Sequence, residues 1–235
     1  GRLQIIPDTG RGELKRLSEA MNYMRQQLDG KAHVEKFAQV LTHELKSPVA
    51  GMQGALELLE DEANVQHRQR LIANLQQESS RLNNIIDGVL NLARAENLAQ
   101  SQRQENIELT LLMDEVVESR HHQISTKELS VTSDYQTINH YSGDAFMLRQ
   151  AFANLLDNAI DFSLKSGSID VQIKELEKAF QVSIRDHGSG IPDYALPRLF
   201  ERFYSVPRHH LASNQLARGT GLGLNFVQEV ARLHK

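Results

Sequence analysis

The sequence predicts a multidomain protein: an α-helical dimerisation hairpin, followed by an α/β sandwich with a mixed sheet. Three observations predict it. Apolar residues in the first part recur every three and four positions, which is the helical period. From about Ile107 that rhythm gives way to short alternating runs set between helical ones, the mark of half-buried strands. The join at 97–105 is polar and rich in Gln, as a linker would be.

The chain has 235 residues and a formal net charge of -4. That is room for one large or two small domains with a proper core. The charge is mixed and mildly acidic with no basic stripe, which argues against nucleic acid as a partner. With no cysteine, a disulfide scaffold and a thiolate metal site are excluded, and a reducing compartment fits. No apolar run reaches ~18 residues, so no segment is expected to span a membrane. No signal peptide is visible.

The elements follow in order. Pro7, Asp8, Gly10 and Gly12 read as a loop. Leu14, Leu17, Met21, Met24 and Leu28 then step in heptads, and Val34, Phe37 and Leu41 continue the pattern. This predicts one long helix to about Glu60, with a kink near Pro48. The polar stretch 61–66 turns the chain. Leu71, Leu75, Leu82, Ile85, Val89 and Leu92 mark the apolar face of a second helix. Such a hairpin exposes too much apolar surface for a monomer, and pairing two into a four-helix bundle buries it, so a homodimer is expected. A purely structural coiled coil has the same periodicity, and periodicity does not separate the two. Beyond the join, 109–123 reads as helix. Segments 129–133, 169–174 and 180–185 read as strands, and 144–160 and 222–233 as helices on one face of the sheet.

Four groups of residues carry possible chemistry. His43 lies in Thr42-His43-Glu44-Leu45-Lys46-Ser47-Pro48, on the first helix. A neutral imidazole is a nucleophile at physiological pH, and Glu44 could orient it and take the proton from its other nitrogen. Ser47 is one turn further on the same face, and Pro48 removes a backbone donor just below. Alone, one of ten histidines beside a Glu is more often an ordinary surface residue. Asn154 and Asn158, at i and i+4, offer two amides on one helix face, a donor type suited to Mg²⁺. A polar helix face is the bland alternative. Asp186-His-Gly188-Ser-Gly190 follows a strand, where a carboxylate can accept from an exocyclic amine and glycine admits a flat base. Arg218-Gly219-Thr220-Gly221-Leu222-Gly223 precedes the last helix, where free N–H groups can hold phosphates. It lacks a P-loop lysine and opens no βαβ unit, so Walker and Rossmann readings fail. Each cluster alone is weak; together, in this order, they point to a nucleotide site.

The His43 string resembles the phosphoacceptor box of sensor histidine kinases. The three later clusters resemble the ATP-binding domain that those kinases share with gyrase, Hsp90-type chaperones and mismatch-repair ATPases. The resemblance covers nearly the whole chain. It divides it into a HAMP-like relay helix (1–30), a dimerisation and phosphotransfer hairpin (31–98) and a catalytic ATP-binding domain (106–235). It implies autophosphorylation of His43 from ATP with Mg²⁺, Glu44 as general base, and transfer to an Asp of a response regulator. It further implies that Asn158, with Asn154, holds the metal and that Asp186 reads the adenine amine beside Gly188 and Gly190. Phe162, Arg218, Gly219, Thr220, Gly221, Leu222 and Gly223 would line the nucleotide. Residues 199–204 match the family's Phe box, which anchors a mobile lid, here about 205–218. For Phe200 and Phe203 plain core packing is an equal alternative. Ser47 stands where the family often has Thr or Asn positioning a water, so dephosphorylation of the regulator hangs on it. Asp161 departs from the family's usual basic residue. The family's domain normally continues into two more strands, so the sheet is expected to lack its C-terminal hairpin, with reduced stability and weakened ATP binding. The membrane would be reached only through segments outside this chain, which would be the cytoplasmic portion of an inner-membrane protein. The rival readings are an ATPase of the same superfamily and a dimeric scaffold without kinase activity.

Overall fold

Heptad spacing becomes two helices, α1 (Lys31–Asp61) and α2 (Val65–Leu98). This computed structural model describes residues 31–61, 64–98, 104–136, 141–177, 179–206, 208–209, 216–217 and 219–234. The relay helix expected at 1–30 lies outside them. The chain divides into two compact units, Gly1–Glu96 and Asn97–Lys235.

In the first unit, Asn64 starts α2. Its Oδ1 accepts from the backbone N–H of Gln66 (2.9 Å) and His67 (3.2 Å), satisfying donors that the first turn leaves unpaired. The apolar stripes predicted from the spacing meet between the helices. Phe37, Leu41 and Ala55 of α1 are buried, as are Ile85, Val89 and Leu92 of α2. Truncating any of the larger ones costs about 2–5 kcal/mol in a core of this kind. Val49, Leu56 and Leu58 on α1, and Val65 and Ile72 on α2, remain exposed. These side chains lie outside the stripes named from the spacing, and the single hairpin leaves them in water.

The second unit is built on a mixed three-stranded sheet. β2 (Ser130–Tyr135), β4 (Ser168–Leu176) and β5 (Ala179–Asp186) lie in the order β2-β4-β5, with β2 parallel and β5 antiparallel to β4. The helices are α3 (Leu109–Glu118), α4 (His121–Thr126), α5 (Ala145–Phe162) and α6 (Gly223–Leu233). A second, two-stranded antiparallel ladder joins β1 (Glu105–Ile107) to β3 (Tyr141–Gly143). Along β4, Ile169, Val171 and Ile173 are fully buried while Asp170, Gln172 and Lys174 between them are not, as a period of two requires. The register sets Ile173 opposite Val182, Val171 opposite Ile184 and Ile169 opposite Asp186. Asp186 therefore ends the apolar row of the sheet. α5 packs on α3, α6 and β5. Met113, Met147, Leu156, Leu222 and Phe226 fill the core with that row.

One expectation is corrected. Residues 109–123 do not form one helix: α3 stops at Glu118 and α4 begins at His121. Ser119 Oγ turns back onto the Val116 carbonyl (2.7 Å), and the Arg120 guanidinium reaches across to Asp157 on α5. α4 has no buried residue, so no apolar stripe carries the helix through the break.

Candidate functional site

In the first unit, His43 sits on α1 with its side chain 84 % exposed. Its Nδ1 is 3.9 Å from Glu44 Oε1, close enough for attraction but too long for a hydrogen bond. Glu44 Oε2 accepts from Arg81 Nη2 at 3.2 Å, a tie from α2 to α1 that holds the carboxylate beside the imidazole. Ser47 is exposed one turn along. Thr42 Oγ1 donates to the Ala38 carbonyl (2.7 Å) and stays with its own helix. Pro48 lies inside α1 and is buried. Having no N–H, it leaves the Glu44 carbonyl without its i+4 donor.

In the second unit the clusters adjoin. Asp144 caps α5, its Oδ1 accepting from the Met147 N–H at 2.9 Å. Asn154 and Asn158 follow one turn apart, both half-buried. Asn154 Nδ2 stands 3.5 Å from the Gly223 carbonyl, at the limit of a hydrogen bond, which brings the first cluster to the third. A Cβ on Gly223 would lie 3.5 Å from the Asn154 side chain, an ordinary contact, so steric demand does not explain that glycine.

Asp186 and Gly188 form the second cluster, against the end of α5. Asp186 Oδ1 accepts from the Gly188 N–H at 2.9 Å. A Cβ on Gly188 would fall 2.1 Å from the Phe162 carbonyl oxygen, so no side chain fits there. Phe162, Asp186 and Gly188 thus share one corner. Gly190 has φ +72 and open space around it.

The third cluster is held by the segment before it. Gly221 has φ +66, and a Cβ there would lie 2.5 Å from the Phe203 carbonyl carbon. Phe203, itself at φ 62, donates its N–H to the Gly221 carbonyl (2.9 Å). Asn225 Nδ2 on α6 donates to the Phe200 carbonyl (3.0 Å). Phe200 is 45 % exposed, which removes the core-packing reading for it. Thr220 Oγ1 lies 3.4 Å from the Leu222 N–H that donates to it. Leu222 is buried, so its side chain belongs to the core and only its backbone faces the cluster. Gly219 is half-buried in the same stretch. Arg218 lies outside the described residues. The region 205–218, expected as a loop without pattern, includes a short antiparallel pair, β6 (Arg208–His209) with β7 (Leu216–Ala217).

Two cations that the sequence analysis did not single out fix α5. Arg120 donates to Asp157 through Nε (3.0 Å) and Nη2 (3.1 Å), next to Asn158. Lys127 Nζ donates to the carbonyls of Ile160 (2.6 Å), Asp161 (2.9 Å) and Ser163 (3.1 Å). Nothing in their spacing distinguishes them from solvated surface charges. A cavity of about 590 Å³ beside α6, lined by Phe200, Val227, Gln228, Glu229, Ala231 and Arg232, contains no residue of the three clusters.

Comparison with known proteins separates a phosphoacceptor hairpin from a general coiled coil. Residues 33–98 match the His Kinase A (phospho-acceptor) domain. Residues 143–235 match the histidine kinase-, DNA gyrase B- and HSP90-like ATPase family. The chain belongs to the sensor histidine kinases. It is 39% identical over 232 residues to the sensor protein CreC of Escherichia coli strain K12, covering 97% of this chain and 47% of CreC. Among solved structures, the Acinetobacter baumannii histidine kinase AdeS shares the fold, with a TM-score of 0.61, 21% identity, and coverage of 81% of this chain and 86% of AdeS. The histidine kinase ThkA, solved in complex with the response regulator protein TrrA, also shares it. There the TM-score is 0.62 and the identity 19%, covering 85% of this chain and 57% of the other. The chain spans about half the length of the curated relatives it matches.

Proposed function

We propose that this chain is the kinase core of a sensor histidine kinase, transferring the γ-phosphoryl group of ATP to His43 and then to an Asp of a response regulator. The observation that carries the reading is the corner where Asp186 and Gly188 meet the Phe162 carbonyl, in a chain that also bears the exposed His43. Because position 188 has no side chain, the turn that carries Asp186 packs directly on the end of α5.

The residues present fit the nucleotide. Asp186 accepts from the adenine amine, and the backbone of Gly219, Thr220, Gly221, Leu222 and Gly223 offers N–H groups to the phosphates at the start of α6. Gly190 and Arg218 complete the expected lining. The two amides of Asn154 and Asn158 fit Mg²⁺, which takes few protein oxygens and completes its shell with phosphate and water. When bound, Mg²⁺ would neutralise charge developing on the phosphate oxygens.

His43 Nε2 attacks the γ-phosphorus in line. A P–N bond forms, the P–O bond to ADP breaks, and the Nδ1 proton is drawn toward Glu44, the nearest carboxylate. The exposure of His43 suits a group that must meet two successive partners. The phosphoryl group then passes to a carboxylate of the regulator. The likeness to CreC makes a CreB-like regulator the expected partner, and the regulator bound to ThkA supports that class of partner. Dephosphorylation of the regulator falls to Ser47, whose exposed hydroxyl can hold a water.

Residues 31–98 act as the hairpin of a homodimer and 106–235 as the catalytic domain. Residues 1–30 act as the end of a HAMP-like relay. The chain is then the cytoplasmic portion of an inner-membrane sensor, consistent with the absence of any membrane-spanning helix among the described residues. Radiolabelled ATP tests the reading. The wild-type chain should label and His43→Gln should not, although both bind nucleotide. Label retained in His43→Gln overturns the assignment.

A further inference from the structure

We propose that Lys127 is a positioning residue for nucleotide recognition, setting the base-reading corner through the end of α5. The inference rests on the reading of Asp186 as the group that accepts from adenine. Lys127 precedes β2, 33 residues before its first contact on α5. Its ammonium has three donors, and three carbonyls of one helix end lie within their reach: those of Ile160, Asp161 and Ser163, 2.6, 2.9 and 3.1 Å away. These carbonyls belong to the last turn of α5 and the residue capping it, where the helix leaves acceptors unpaired and its dipole favours a cation. The side chain is half-buried, and its own backbone is pinned as well. The Lys127 N–H donates to the Gln123 carbonyl (3.1 Å), and its carbonyl accepts from the Ser166 N–H (2.9 Å).

Phe162 is the residue between the bonded carbonyls. Its own carbonyl is the atom that leaves no room for a Cβ on Gly188, and the Gly188 N–H is bonded to Asp186 Oδ1. Lys127 thus fixes the carbonyls on either side of the one that packs against the Asp186 turn. With no room at position 188, a shift of a few tenths of an ångström in that turn displaces the carboxylate. The bonds that Lys127 makes to the end of α5 lie on the side of the Asp186 turn, so its influence is expected on base reading.

The test compares ATP with inosine triphosphate, which carries a carbonyl where adenine has its amine. Dissociation constants are measured calorimetrically on the full chain, for wild type, Lys127→Met and Lys127→Arg. Wild type should prefer ATP by about tenfold or more, and Lys127→Met should lose most of that preference. A merely structural role would lower the folded fraction and weaken both nucleotides alike, leaving the ratio unchanged. Wild type that does not discriminate overturns the Asp186 reading. Wild type that discriminates, with the same ratio in Lys127→Met, overturns the role of Lys127 alone. Should Lys127→Met not fold, Lys127→Arg decides. It keeps the charge but spreads its donors over a planar fork that cannot converge on the three carbonyls. A reduced ratio supports the proposal, and an unchanged one overturns it.

Discussion

Arg81 and Glu44 lie 37 residues apart, and the Arg81 Nη2 stands 3.2 Å from Glu44 Oε2. The other oxygen of the same carboxylate is 3.9 Å from His43 Nδ1. One carboxylate therefore joins the two helices and faces the histidine. Both partners are about one-quarter exposed, so the pair contributes little stability, of the order of 0–1 kcal/mol. Its consequence is orientation. In Arg81→Met, which keeps the apolar stem, Glu44 is free to swing into solvent. The rate of His43 labelling at saturating ATP should fall by roughly three- to tenfold, with ATP affinity unchanged. A rate equal to wild type would show that the tie has no part in the chemistry.

Gly188 and Gly190 are two residues apart in one turn and should respond differently. In Gly188→Ala the new methyl would sit 2.1 Å from the Phe162 carbonyl, a backbone atom that cannot rotate away. Either the turn or the end of α5 must move, and ATP affinity should drop by about tenfold or more. Gly190→Ala meets no atom and carries only the strain of φ +72, about 1 kcal/mol. Any loss of ATP affinity should be smaller than in Gly188→Ala, because no protein atom has to move. Fluorescence titration with an ATP analogue distinguishes the two, and an equal loss in both variants would contradict the steric account.

The long elements were legible because their periods are strong. Phe37, Leu41, Ile85, Val89 and Leu92, picked from spacing, are buried in the hairpin, and Ile169, Val171 and Ile173 are buried in β4. The clusters at 154–158, 186–190 and 219–223 were legible as residue types, and contacts through Asn154, Gly188 and Gly221 link them to each other or to neighbouring segments. Three-residue strands such as β1 and β3 are too short to show a period. The break at Ser119 was hidden because the Arg120–Asp157 contact beside it joins residues 37 apart in the chain. Lys127 was hidden for the same reason: a lysine that bonds a distant helix end has the same local signature as one in water.

Glu128 gives a pH-dependent readout outside the nucleotide site. Its backbone is left-handed, φ 56, and its carboxylate accepts from Lys165 (2.8 Å) and Ser166 (2.8 Å). The hydrogen bond from Lys165, then that from Ser166, holds its pKa below the usual glutamate range. The native state thus binds the proton more weakly than the unfolded chain. The stabilisation is complete above the unfolded value of about 4.5 and is lost as pH falls through the lower native value. Carbon-detected NMR titration should place Glu128 below an ordinary glutamate, and Lys165→Met should move it back up. A value unchanged by that substitution would leave Ser166 as the cause.

Pro48 interrupts the hydrogen-bond ladder of α1 one turn beyond His43. The carbonyl left without its usual donor belongs to Glu44, the residue that faces the imidazole. An interior proline costs a helix about 3 kcal/mol, and Pro48→Ala restores the missing bond while giving up some packing of a buried ring. The hairpin should gain roughly 1–2 kcal/mol, read as a higher unfolding midpoint. Amide exchange at 44–48 should slow at the same time. If looseness at this turn lets the His43 segment adjust to first one partner and then another, the stiffer variant should label more slowly from ATP and transfer more slowly to a regulator. A variant that is more protected and yet equally fast would assign Pro48 to helix bending alone.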